Sequence, residues 1–426
     1  MNTLAPYKLH LSILRYLVSG LMSAVLLGLV ESAHAQYSAL DDTKIPSAWE
    51  LSPRLSLDVR SRYQSTKQSG QPDGEALTLR FQFTGEFDLS RDTIFLAELE
   101  GNLAFVDQFN DGTQNGSNLP FIPDPDGLEL NRLAIISEAI EDVRITAGRQ
   151  RIALDDWRFI GAFPFRQNDQ TYDAIRLETT SLGPGTLDVG YIGRVLRPLG
   201  DKNPEGRFTG DSIFANYNLA TPLGRFTAYH YRLDIETNEP SESRTIYSNR
   251  VTGGRLFGRR HWDDFGLVWD LAYASQVDHA DNPNDFRTDY TLAELTVEPG
   301  SSGVSLRAET LGSGDGQGFQ TPLGSLHRFQ GFADQFLRTP DSGVQDVSLL
   351  ARHDFSKIGA FDSVRIFARH HWFRPDTSGE KYGTEWNASI SGQYDNIILS
   401  LEYSDYRADS FSTDTRSLFL TTQLRF

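Results

Sequence analysis

Apolar and polar positions alternate along most of this chain. Leu55, Leu57, Val59 and Tyr63 interleave with Ser56, Asp58, Arg60 and Arg62. Leu77, Leu79, Phe81 and Phe83 interleave with Thr78, Arg80, Gln82 and Thr84, and Phe95, Ala97, Leu99, Leu103 and Phe105 with Glu98, Glu100 and Asn102. A period of two places one set on each face of a β-strand, whereas a helix would mix them. The pattern returns at 187–195, 227–235, 267–273, 304–308, 364–368, 382–390 and 397–403. Counting weaker segments, about 18 strands are expected, starting near 54, 76, 94, 128, 142, 171, 185, 211, 224, 248, 264, 288, 302, 344, 362, 381, 396 and 415. The stretches 128–152 and 248–298 alternate poorly.

Between these segments, long connections (108–127, 153–170, 313–343, 408–414) take turns with short ones (138–141, 183–184, 394–395). That asymmetry belongs to membrane barrels, with long extracellular loops and short periplasmic turns. The fold class expected is all-β: a transmembrane antiparallel β-barrel of about 18 strands. Leu418, Leu420, Thr422, Leu424 and Phe426 form a last amphipathic strand, the form in which barrel-assembly machinery recognises outer-membrane proteins. Aromatic residues make up 12% of the chain, and many fall near strand ends, as girdles at the headgroup level require.

The N-terminus reads differently. Lys8 and Arg15 precede a mostly apolar run over 16–30, and Ala33-His34-Ala35 is a small-x-small cleavage site. Residues 1–35 are therefore expected to be a signal peptide, 36–53 a periplasmic N-terminal segment and 54–426 the barrel. No later stretch approaches the roughly 18 apolar residues of a membrane helix. Mean hydropathy is −0.40, which in an alternating barrel says nothing against membrane insertion. The absence of cysteine excludes disulfide frameworks and thiolate metal sites.

With the apolar set facing lipid, the lumen receives Arg60, Arg62, Arg80, Arg144, Arg194, Arg232, Arg307, Arg365 and Arg369, with Glu86, Glu98, Glu100, Glu309, Glu385 and Glu402. Arginine rings favour anions, because the guanidinium fork pairs with carboxylate or phosphate. The same residues in alternate pairing would instead form a stiffening lattice. Acidic loop residues, among them Asp107, Asp111, Asp124, Glu239, Glu242 and Asp281, carry much of the net charge of −17 and oppose anion entry. No His/Ser spacing argues for a nucleophile, and His370-His371 point to opposite faces of a strand, so no enzyme, metal or cofactor is expected.

Three blocks stand out: Gly148-Arg149-Gln150-Arg151-Ile152 with Arg158-Phe159-Ile160-Gly161; 165–174, from Phe165-Arg166-Gln167-Asn168 to Asp173-Ala174; and Thr321-Pro322-Leu323 with 327–334 and 343–346. In that order they resemble the alginate-export family of outer-membrane porins, over roughly 54–426. The resemblance implies a monomeric 18-stranded barrel whose arginine-rich constriction passes an anionic uronate polysaccharide. Its motif positions for a solute path are Arg149, Arg151, Arg158, Arg166, Gln167, Asn168 and Asp173. The partners expected are outer-membrane lipid and lipopolysaccharide, the assembly machinery, and an anionic saccharide or small anion, with no nucleic acid. A general uptake porin, or a structural barrel plugged by 153–170 and 313–343, are the rival readings.

Overall fold

The computed structural model describes residues 53–113, 118–236 and 244–426. The expected signal peptide, residues 36–52, and the acidic Glu239 and Glu242 lie outside the described residues. Eighteen strands form one closed antiparallel sheet in which every strand pairs with its chain neighbours. They are β1 (Arg54–Gln68), β2 (Gly74–Ser90), β3 (Thr93–Gln108), β4 (Gly127–Ile140), β5 (Val143–Gln150), β6 (Thr171–Thr179), β7 (Thr186–Leu196), β8 (Arg207–Thr221) and β9 (Gly224–Leu233). The second half comprises β10 (Asn249–Trp262), β11 (Phe265–Asp278), β12 (Arg287–Pro299), β13 (Ser302–Leu311), β14 (Val344–Phe355), β15 (Ser363–Arg374), β16 (Gly383–Tyr394), β17 (Ile397–Ala408) and β18 (Thr415–Arg425). The barrel closes where β18 pairs with β1, Asp58 opposite Arg425 through Gln68 opposite Thr415. Phe426 completes the seam, exchanging backbone hydrogen bonds with Leu57 at 2.9 and 3.0 Å.

One rim carries tight turns at 91–92, 141–142, 222–223, 263–264, 300–301 and 395–396. Asp142, Asp263, Gly300 and Asp395 in these turns take the left-handed conformation that two-residue hairpins need, which aspartate and glycine tolerate. The other rim carries every long connection, including 109–126, 151–170 and 312–343. Outward-facing Leu55, Leu99, Leu103, Leu128, Ile135, Ile175, Leu271, Leu295, Leu306 and Leu349 are exposed and form an apolar belt. Such a surface is stable only against lipid. Phe87, Trp262, Phe265 and Tyr394 edge it near the tight turns, and Tyr273, Trp372 and Trp386 near the long loops.

Strand starts fall within two residues of expectation except for β8, which begins at Arg207 rather than near 211. A bulge between β7 and β8 pairs Ile192 with Ser212 but Arg194 with Thr209, and Gly210 there has φ +139°. Alternation restarts beyond it, so the pattern shows only the later part. The poor alternation of 128–152 has the same origin. Asn131 is an extra residue between Leu130, opposite Leu99, and Arg132, opposite Glu98. Leu128 and Leu130 therefore face out on one parity, Leu133 and Ile135 on the other.

The stretch 248–298 blurs for another reason. Here the inner wall is itself apolar: Tyr229, Tyr231, Val251, Ala274, Tyr290, Leu292 and Leu311 are buried in one cluster with Ile160, Phe319 and Leu323 from the long loops. With hydrophobic residues on both faces, no period of two survives.

Candidate functional site

The segments 151–170 and 312–343 fold into the lumen and bind each other there. Ile160 forms a parallel bridge with Leu323. The Gly161 amide donates to the Leu323 carbonyl at 2.9 Å, and Ser325 N–H to the Trp157 carbonyl at 2.9 Å. Two glycines permit this approach: a Cβ on Gly161 would lie 2.4 Å from Ser325 Oγ, and one on Gly324 would lie 2.2 Å from the Arg158 carbonyl. The motif blocks of the sequence thus build the junction between the two loops.

Arg158 fixes the junction to one wall. It is almost fully buried and donates to Glu309 of β13 at 2.8 Å and to Gln330 at 3.0 Å. Glu309 also accepts from Tyr290 at 2.7 Å and from Gln330 at 2.5 Å, and it pairs with Arg307 at 3.2 Å. Burying a carboxylate is tolerable when partners surround it in this way. On the opposite wall Arg60 donates to the carbonyls of Pro164 and Arg166 at 2.9 and 3.1 Å. Arg151 pairs with Glu98 at 2.7 Å and with Asp169, and Arg80 with Asp58 at 2.5 Å. Arg62 lies 4.3 Å from the centre of the Phe165 ring, which stacks on His327.

Asp334 ties the two loops together again, pairing with Arg166 and with His327 at 2.9 Å. Burial alone would raise its pKa, but the charges of His327 and Arg166 overcome this and hold it below the ordinary aspartate value. Asp169 is depressed in the same way, burial being outweighed by Arg151, Arg80 and Arg60. Gln167 and Asn168 are buried in the same loop cluster. Gln167 donates to Thr78 at 2.7 Å and Asn168 to the Pro198 carbonyl at 3.2 Å.

Two chambers flank this cluster. The outer one, on the long-loop side, is bounded by Gln64, Thr66, Arg166, Asp334, Gln335 and Ser417 and holds about 230 Å³. The inner one, also about 230 Å³, is surrounded by Arg255, Arg307, Arg328 and Arg369, with Asp156, Asp270 and Glu294. Arg255 pairs with Asp270 at 2.5 Å, and Arg307 with Glu294 at 2.7 Å. Arg328 has no carboxylate partner among the described residues, and burial, then repulsion from Arg307 and Arg255, lowers its pKa. The Nε atoms of Arg307 and Arg369 have no hydrogen-bond partner. Both atoms are themselves inaccessible, so what the chamber offers an anion is the surplus of four guanidinium groups over three carboxylates, with Arg328 left without a carboxylate partner among the described residues.

Several sequence expectations are corrected. Arg149 and Asp173 lie on the outward parity of β5 and β6 and pair with each other at 2.7 Å. The bulge after Ile192 turns Arg194 outward beside Asp173, 3.6 Å away. Arg232 faces outward because the inward positions of β9 are Tyr229, Tyr231 and Leu233. The rule that apolar residues face lipid fails on this apolar stretch of inner wall. Arg194 and Arg232, expected in the lumen, are thereby placed on the outer face. Arg151 pairs with Glu98 and Asp169, while Asp155 accepts from Asn216 and Thr227. Arg60, Arg62, Arg80, Arg144, Arg307, Arg365 and Arg369 face inward; Arg144 pairs with Glu138 and Arg365 with Asp354 near the tight-turn rim. Arg255, on the poorly alternating strands, and Arg328, within the 327–334 block, line the chamber without having been among the expected lumen residues.

A closed 18-stranded barrel with an apolar exterior and long loops folded into a charged lumen is the fold of outer-membrane porins. Solved structures similar to this chain include Acinetobacter baumannii OccAB4 (TM-score 0.66, 13% identity, covering 88% of this chain and 98% of that one). Pseudomonas aeruginosa OpdO is similar at TM-score 0.64 and 15% identity, covering 88% and 97%. OpdK of the same organism, in its structure with vanillate, is similar at TM-score 0.64 and 11% identity, covering 87% and 98%. At these identities the likeness is one of fold. No protein-family model matches the chain, and no curated protein matches it in sequence. The porin fold is thus supported, and the alginate-export resemblance is not.

Proposed function

We propose that this barrel is a passive, substrate-selective channel for small organic anions, with a carboxylate as the group recognised. The observation that carries the reading is the inner chamber, where four guanidinium groups converge against three carboxylates and Arg328 has no carboxylate partner among the described residues. A carboxylate entering it gains charge-assisted hydrogen bonds in a partly desolvated space. Neighbouring Asp156, Asp270 and Glu294 compete for the same arginines, which keeps binding weak enough for release. The OpdK structure with vanillate supports the same chemistry by analogy of fold.

Chambers of about 230 Å³ on either side of a hydrogen-bonded loop junction fit single organic acids. A uronate polymer, which the alginate-export resemblance implies, would have to part the Ile160–Leu323 junction along its whole passage. The proposal is accordingly for monomeric anions. Planar-bilayer recording under a salt gradient tests it. An anion-selective current reduced by millimolar aromatic or aliphatic carboxylates is expected. A cation-selective current contradicts it, and absence of current favours a plugged structural barrel.

A further inference from the structure

Arg232 lies directly opposite Arg250 in the β9–β10 ladder, and the next positions across the sheet are Val277 of β11 and Arg287 of β12. All three arginines are exposed on the outer surface. None has a salt bridge among the described residues. Arg232 instead donates to His279 Nε2 at 3.3 and 3.4 Å. That acceptor is an imidazole whose pKa is lowered by burial, then by Arg232 and Arg250, so it orients the guanidinium without neutralising it.

The height of this row on the barrel is informative. Toward the tight-turn rim the same face carries Tyr273, Phe226 and Leu271, all exposed in the apolar belt. Toward the other rim lie the long loops. The row therefore sits where hydrocarbon ends and headgroups begin, on the side of the long loops, which is the outer leaflet. Like charges directly opposite in a ladder are destabilising. Of the carboxylates near this row, Asp289 is engaged by the Tyr273 hydroxyl at 3.0 Å, and Asp234, two residues beyond Arg232, acts on the His279 imidazole. Adjacent strands stand about 4.8 Å apart, so two guanidinium forks side by side can grip one tetrahedral dianion from both flanks.

We infer that Arg232, Arg250 and Arg287 form a phosphate-binding site on the outside of the barrel, occupied by the phosphorylated headgroup of an outer-leaflet glycolipid. The site is separate from the lumen, whose wall on β9 is made by Tyr229, Tyr231 and Leu233.

The test uses the whole barrel in neutral detergent, titrated with bisphosphorylated lipid A and with its dephosphorylated form and followed by native mass spectrometry. The phosphorylated lipid is expected to bind more tightly than the dephosphorylated one. Arg232→Gln with Arg250→Gln should lose about tenfold in affinity for each arginine removed, while Arg365→Gln, inside the lumen, changes nothing. Heat-modifiable migration on gels verifies that each variant is a folded barrel. Equal binding of the two lipids, or no loss in the folded double variant, overturns the site. Displacement of the lipid by inorganic phosphate at equal concentration would assign the site to free anions and overturn the lipid assignment. The double variant should retain wild-type single-channel conductance; a changed conductance would return Arg232 to the lumen and refute the outward placement.

Discussion

Replacing Arg158 by methionine removes the guanidinium that fastens the loop junction to β13 while keeping most of the side-chain volume. The side chain is 2% exposed and its carboxylate partner fully buried. Removing one partner of a buried pair costs roughly 3–5 kcal/mol when the other charge is left bare. Here Glu309 keeps Arg307, Tyr290 and Gln330. The loss is then nearer the worth of one charged hydrogen bond, about 2 kcal/mol. That shifts the ratio of displaced to seated loop about thirtyfold. The β-strands do not depend on this contact, so the barrel should fold and migrate normally. Single-channel recording is the assay: Arg158→Met should spend far more time in a larger, noisier conductance level, and segment 312–343 should become protease-sensitive. An unchanged conductance histogram together with unchanged protease resistance would refute the view that Arg158 seats the loops.

Further outcomes follow from the same contacts. Asp334 and Asp169 have folded pKa values below the ordinary aspartate value, so their stabilisation is complete above about pH 4 and is lost as pH falls through the depressed values. Conductance noise should be flat from neutrality to about pH 5 and rise below about pH 4; a rise centred between pH 6 and 7 would point away from these carboxylates. Ile160→Cys with Leu323→Cys should form a disulfide across the bridged positions and suppress loop-opening events until a reductant is added, as read from the same recordings. Deleting Asn131 removes the bulge and reverses the facing of part of β4, turning leucines into the lumen; the barrel should assemble poorly, which heat-modifiable migration reports.

The barrel was legible because lipid outside and water inside impose opposite chemistry on alternate residues. Strand starts and the last amphipathic strand over 415–426 follow from that rule, and the alternation of tight and long connections separates the two rims. Facing failed where the rule itself fails. A single extra residue, Asn131 or the bulge beside Gly193, reverses parity without any mark in composition. On β9 to β12 the inner wall is apolar because loops pack on it, so Arg232 was assigned to the wrong side and Arg255 was overlooked. Of the motif arginines, Arg149 lies on the outward face beside Asp173, while Arg151, Arg158 and Arg166 sit in the loop cluster. Their partners lie far away in sequence, Arg158 with Glu309 and Arg166 with Asp334, and no local pattern reveals such pairs.

Anion selection, on the proposed function, takes place in the inner arginine chamber. Reversal potential under a potassium chloride gradient measures this directly, for the wild type and for the folded triple variant Arg255→Gln, Arg328→Gln, Arg369→Gln. Anion preference is expected in the wild type, with block by small carboxylates that weakens about tenfold for each arginine removed. Cation preference in the wild type, or selectivity and block unchanged in the triple variant, would contradict it.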